Sequence, residues 1–299
     1  MRRAGCLLIA AVPVLATAAV YLAVPEHPAP ADGKGRTPVS RQAGANAEAR
    51  ARRTRDDQLV RDLPGGLAAP DKKELAQKIV ASAENSTLDW RQAYAYVEDI
   101  GDGQGYTAGV IGFCTGTHDL LTLVEGYTKD HPDNGLARYL PALREVDGTD
   151  SHKGLDPGFT AAWKKEAQVP AFRAAQDSER DRVYFDPAVR LAKRDGLGTL
   201  GQFLYYDTMV MHGPGTNPRS FYGLRDRAKR EADLPSEGGD ETSYLDTFLD
   251  VRRAVMKSKN PHRDTTRIDT AQRRFLYDGN LDLEPPLEWK VYGETYRVP

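Results

Sequence analysis

The sequence predicts a mainly helical α+β protein, a mostly helical body with one small sheet. Helical spacing of apolar residues dominates the chain from Leu67 onward. Only residues 106–113 read as β, where apolar and β-branched side chains follow a glycine-rich turn. No internal repeat and no strand–helix alternation suggests a Rossmann or barrel fold. With 299 residues, 40% hydrophobic and 28% charged, the chain has the composition of an ordinary globular protein. Collagen, a disulfide-stapled miniprotein and a wholly disordered chain are excluded.

The front end comes first in the chain. Two arginines, an apolar run from Cys6 to Val24, then small residues and prolines follow the order of a secretory signal over residues 1–31. Cleavage after Ala18 and after Ala31 are both open. The run is nearly long enough to be an uncleaved anchor, but Pro13 and the alanine-rich composition favour a signal. Residues 32–66 are polar, alanine-rich and net basic, and read as a tether or pro-segment. Residues 1–66 hold 10 Lys+Arg and 6 Asp+Glu, leaving 31 and 37 for residues 67–299, a formal net charge of −6. An acidic body is a poor nucleic-acid binder and suits a cationic partner. Without the signal, Cys114 is the only cysteine, so the body must fold without an internal disulfide.

Within the body, DKKELAQKIVASAEN predicts a helix from Asp71 with a capping box of Asp71 and Glu74, and with Leu75, Ile79, Val80 and Ala83 on one side. A second helix is predicted from Asp89, with Trp90, Ala93, Tyr94 and Val97 on one face, ending at Gly101. Further helices are predicted to begin near Thr117, Leu136, Thr160, Pro187, Leu197, Ser220, Thr242 and Asp269.

The segment SAENSTLDWRQAYAYVEDIGDGQGYTAG, residues 82–109, carries the densest chemical signal. Glu98 and Asp99 would crowd the end of the second helix, where negative charge opposes the helix dipole. Asp102 stands between Gly101 and Gly103, in a turn that can aim a carboxylate into a cleft. Glu84 precedes it by 18 residues. On one straight helix they would be about 27 Å apart, so only the intervening turns can bring them together. Two carboxylates facing across a gap are the minimum equipment for cutting a glycosidic bond. Read from composition alone, acidic residues at helix ends are more often simply solvated.

Other patterns carry less. GFCTG, residues 112–116, mimics a nucleophile elbow with Cys114 in place of serine, but the parallel sheet that motif needs is missing, so Cys114 reads as a small buried apolar residue. The run from Asp99 departs from a calcium loop at its twelfth position, Val110. The six histidines form no HExxH motif and no Cys/His cluster, so no metal site is expected. Two charges lie on apolar stripes. Asp207 shares a face with Leu200, Leu204 and Met211, and Arg252 shares one with Leu245, Phe248, Leu249 and Val255. A charge so placed needs a partner, and an Asp207–Arg252 pair is the economical solution.

SAENSTLDW, YVEDIGDGQGYTAGVIGFCTGT, ERDRVYFDPAV, LGQFLYYDTMVMHGPG, GGDETSYLDTFLDVRRAVM and GNLDLEPPLEWKVYG together resemble secreted bacterial chitosanases of glycoside hydrolase family 46, from about Asp71 to the C-terminus. The resemblance implies a two-lobed, lysozyme-like fold with a small β-sheet in one lobe and a cleft between the lobes. It implies inverting endo-hydrolysis of β-1,4 links between glucosamine residues, with no metal or organic cofactor. By the same resemblance Glu84 is the general acid, Asp102 the general base, and Thr107 helps position the water. Asp119, Tyr184 and His212 would contact substrate, and Asp207, Arg252 and Arg267 would form a charge network behind the acid. The implied partner is cationic chitosan, with no nucleic acid and no stable membrane association, and the implied state is a secreted monomer. A related hydrolase of peptidoglycan or chitin, or a non-catalytic polysaccharide-binding module, are the alternatives. Gln104 stands where the family pattern has a basic residue, and Lys259 and Arg263 where it has acidic ones, which bears on substrate grip.

Overall fold

Helix α1 (Pro70–Glu84) forms where the apolar spacing places it, and it serves two hydrophobic cores at once. Its Leu75, Ile79 and Val80 pack into the larger core, while Ala81 belongs to the smaller one. The computed structural model describes residues 65–258 and 260–299. The predicted signal, the predicted tether up to residue 64, and Lys259 lie outside the described residues. The predicted capping box is not made. Pro70 opens the helix with no side-chain cap, and Glu74 instead accepts two bonds from Arg91 at 2.9 Å and one from Trp90 at 3.2 Å. A fork-shaped guanidinium offers that carboxylate more than one backbone N–H does.

The second predicted helix is a correction. Trp90–Ala95 is a single 3-10 stretch, and strand β1 (Val97–Asp99) follows it. Trp90, Ala93, Tyr94 and Val97 are buried as the spacing requires. From Val97 onward, however, the backbone is claimed by strand β2 (Tyr106–Ala108), with Val97 opposite Ala108, Glu98 opposite Thr107 and Asp99 opposite Tyr106. Glu98 and Asp99 therefore crowd no helix end. The predicted strand over 106–113 is two strands, since the chain turns at 109–112 before β3 (Phe113–Cys114) completes a sheet of order β1-β2-β3.

This sheet, with α2 (Asp119–Asp130), α3 (Leu140–Val146), α4 (Phe159–Glu166) and α5 (Pro170–Arg180), encloses the smaller core around Leu120, Leu123, Trp163 and Phe172. Helix α5 is absent from the sequence reading, although Phe172, Gln176 and Arg180 are buried at four-residue spacing behind an opening proline. A π-turn, Asp181–Phe185, leads from α5 into α6 (Asp186–Arg194). The larger core is built from α1, α6, α7 (Thr199–His212), α8 (Phe221–Glu231), α9 (Glu241–Lys257) and α10 (Arg273–Tyr277). A second π-turn, Arg267–Gln272, precedes α10.

One sheet was expected, and the described residues form two. Strands β4 (Leu287–Val291) and β5 (Glu294–Val298) form an antiparallel hairpin whose alternating Leu287, Trp289 and Val291 face the larger core. Trp289 donates to Ser82 Oγ at 2.9 Å, which docks the hairpin on the last turns of α1. Two separate cores with small sheets agree with the expected mainly helical, two-lobed architecture. Among the described residues no helix is long and apolar enough to cross a membrane.

Candidate active site

Glu84 is the final residue of α1, and the chain leaves it through Asn85 and Ser86, the latter in left-handed conformation. Its side chain is 20% exposed and accepts a charge-assisted bond from Arg267 Nη1. The rest of the Arg267 guanidinium goes to Asp207, with Nη2 2.6 Å and Nε 3.0 Å from Oδ1. Asp207 Oδ2 receives Arg252 Nη2 at 2.7 Å and Gln272 Nε2 at 2.5 Å, and Arg252 Nη1 returns to Gln272 Oε1 at 2.8 Å. The Asp207–Arg252 pair required by the apolar stripes is thus made, with side-chain exposures of 1% and 0%.

Burial alone would raise the Asp207 carboxyl, but Arg267 and then Arg252 outweigh it and hold it well below the usual carboxylate range. His212 behaves in the opposite sense. Burial, reinforced by the charges of Arg252 and Arg267, pushes its imidazole well below the ordinary value. A neutral His212 is what the geometry uses, because Nε2 accepts from Arg252 Nε at 3.3 Å. Gln272 and Met211, whose sulfur receives Arg252 Nη2 at 3.2 Å, also belong to this network; Gln272 is missing from the sequence reading, which has Met211 only as part of the apolar face beside Asp207. A helix started near Asp269 gives no reason to bury Gln272. The π-turn does, by turning Arg267, Ile268, Ala271 and Gln272 inward together.

Across from the network stands the small sheet. Asp102 lies half-buried in the β1–β2 turn, where its Oδ1 accepts from Gln104 N at 3.0 Å. The turn is anchored through Gln104 O, which receives Gly116 N at 2.8 Å and Thr115 Oγ1 at 3.1 Å. Only glycine fits at 105, where φ is +67° and a Cβ would fall 2.3 Å from Thr115 Oγ1. Thr107 is buried on β2, its Oγ1 3.3 Å from Cys114 Sγ. Burial pushes the Cys114 thiol up to about 12, and Sγ also bonds Gly112 O, so it is an inert core group as expected.

A pocket of about 580 Å³, open solvent included, separates the two sides, walled by Gln77, Ala81 and Glu84 on one and by Trp90, Tyr96 and Thr107 on the other. It brings Glu84 and Thr107 together. Asp102, Asp119, Tyr184 and His212 are not among its walls. Asp119 opens α2, and its Oδ1 caps the strand–helix junction by accepting from Cys114 N, Thr117 Oγ1 and Leu120 N. Burial nonetheless raises its carboxyl. Tyr184, on the π-turn after α5, is raised by burial and then by the charge of Asp119, which places the two in each other's field.

Comparison with known proteins adds the lineage. The profile of "Glycosyl hydrolase family 46" matches residues 78–287. A Streptomyces chitosanase is 58% identical over 233 residues, which span 78% of this chain and 84% of that protein. Among solved structures, a chitosanase co-crystallised with substrate superposes with a TM-score of 0.75 at 55% identity, covering 78% of this chain and 99% of its own. The Gynuella sunshinyii chitosanase in complex with chitotetraose gives 0.70 at 32% identity, covering 76% and 97%. A profile match over more than half the chain and a fold shared almost end to end with the solved relatives leave one placement: the chain belongs to glycosyl hydrolase family 46.

Proposed function

We propose that the body from residue 67 is an endo-acting chitosanase that cuts β-1,4 links between glucosamine units with inversion. Glu84 gives its proton to the departing sugar oxygen as the bond from that oxygen to the anomeric carbon breaks. Asp102 takes a proton from a water whose oxygen attacks that carbon from the opposite face. Thr107 helps hold the water, and Asp119, Tyr184 and His212 contact the sugar chain. In this reading Asp207, Arg252 and Arg267 keep the acid in position. The observation that carries it is the placement of Glu84 on the Arg267–Asp207 network, facing Thr107 across a pocket. A net charge of −6 over residues 67–299 favours the approach of a cationic polymer. Residues 1–31 then export the enzyme, residues 32–66 serve as a tether or pro-segment, and the enzyme acts outside the cell as a monomer.

Proton NMR during digestion of a defined chitosan tests activity, bond preference and anomeric outcome together. Newly formed ends of inverted configuration are expected, and Glu84→Gln should abolish turnover while leaving the thermal melt in place. Full activity in that variant removes Glu84 from the mechanism. Side-by-side digestion of peptidoglycan and chitin should give little or no product.

A further inference from the structure

The hairpin β4–β5 closes through a two-residue turn, Tyr292–Gly293, with φ of +51° and +85°. Both central residues of such a turn are left-handed, which glycine, asparagine and aspartate tolerate and a bulky aromatic does not. The ring returns little packing for that strain, since Tyr292 is 48% exposed. Of the other large apolar side chains left in the open, Tyr277 has its hydroxyl bonded to Asp246. A residue that breaks a local rule without a packing return is a functional candidate.

Its position says which function. The Tyr292 N–H donates to Thr266 Oγ1 at 2.9 Å, and Thr270 Oγ1 donates to Lys290 O at 2.7 Å, so the hairpin tip is stapled to the π-turn. The first residue of that turn is Arg267, which holds Glu84. We propose that Tyr292 is a substrate-binding platform on the rim beside Glu84, its ring receiving a glucosamine unit. Burial raises its hydroxyl, and Arg267 and Glu84 are the next influences on it, which agrees with a place at the site. A glucosamine unit offers an aromatic face both an apolar C–H surface and an ammonium group, so the ring suits this sugar in particular. The inference rests on the chitosanase reading.

The test is steady-state kinetics on glucosamine oligomers of defined length, with thermal melts alongside. Tyr292→Asn suits the turn and removes the ring, so its melting temperature should equal or exceed that of the wild type. Its KM should rise about threefold to thirtyfold with kcat largely retained, the mark of lost substrate binding. Tyr292→Phe should restore a near wild-type KM, and Tyr292→Gly should repeat the asparagine result. A wild-type KM and product pattern in Tyr292→Asn overturns the proposal. So does a kcat loss with a shifted pH profile at constant KM, which would make the ring a shield for the Glu84–Arg267 pair. A wild-type enzyme inactive on chitosan defeats the underlying reading instead, and the two failures are separable.

Discussion

Replacing Asp207 by alanine removes the one carboxylate, among the described residues, that the buried Arg252 and Arg267 share. Asp207 is 1% exposed, and its partners Arg252 and Arg267 are 0% and 4% exposed, so neither guanidinium can turn to water for compensation. Gln272 loses its acceptor as well. Removing one partner from such a pair costs about 3–5 kcal/mol, because the remaining charge is buried and uncompensated. In a domain of this size each kcal/mol moves the melting temperature by about 2–4 °C, so a fall of about 6–20 °C is expected in calorimetry at neutral pH. Activity should disappear even well below the new midpoint, since Arg267 no longer has an anchor from which to hold Glu84. The pH dependence carries a sign. The folded carboxyl of Asp207 titrates below its unfolded value of about 3.9, so its contribution is complete above that pH and is lost as the pH falls through and below it. The gap between wild type and variant should therefore close in acid. A variant melting within about 2 °C of wild type at neutral pH would refute the claim that this pair is buried and uncompensated once broken.

Two further outcomes follow from the same network. Arg267→Lys keeps the charge but loses the fork that spans Asp207 and Glu84, so kcat should fall about a hundredfold with a smaller change in melting temperature; unchanged kcat would detach Arg267 from the placement of the acid. His212 is held neutral while the unfolded imidazole takes up a proton below about pH 6.5, so it contributes stability above that pH that is lost as the pH falls. Urea unfolding of His212→Gln at a series of pH values should show a flatter decline below about pH 6.5 than wild type, and parallel declines would contradict a neutral His212.

What the sequence made legible depended on physical necessity. Asp207 and Arg252 could be paired from sequence because a charge on an apolar stripe has few places to go, and the structure pairs them at 2.7 Å. Trp90, Ala93, Tyr94 and Val97 were legible as buried, but burial spacing cannot tell a helix from a 3-10 turn followed by a strand. The deciding partners, Tyr106 to Ala108, lie about ten residues further on. The hairpin at the C-terminus did have a signal, alternation around a turn ending in glycine, in a stretch otherwise overshadowed by helical periodicity. Gln272 had none, because a neutral polar residue on a predicted helix is ordinarily solvated and only the π-turn buries it. The meeting of Glu84 with the sheet was not readable from spacing; it came from the resemblance.

The placement of Glu84 at the end of α1 explains why so distant a network is needed. A helix C-terminus carries partial negative charge from its unpaired carbonyls, so a carboxylate there is opposed by its own helix. Arg267 offsets that opposition, yet a buried guanidinium needs an anion of its own, and Asp207 supplies it from α7. Arg252, on α9, then balances the charge, leaving two cations against two carboxylates when Glu84 is ionised. The chain of compensation runs from α1 to a π-turn 183 residues later, so Glu84 takes its place only once the larger core has assembled. Asp102 has no such backing: it rests on a turn between Gly101 and Gly103, with open space around both. One carboxylate is thus fixed by buried charge and the other by the β1–β2 turn. In the proposed reaction, the separation that would admit a water is therefore set mainly on the Asp102 side.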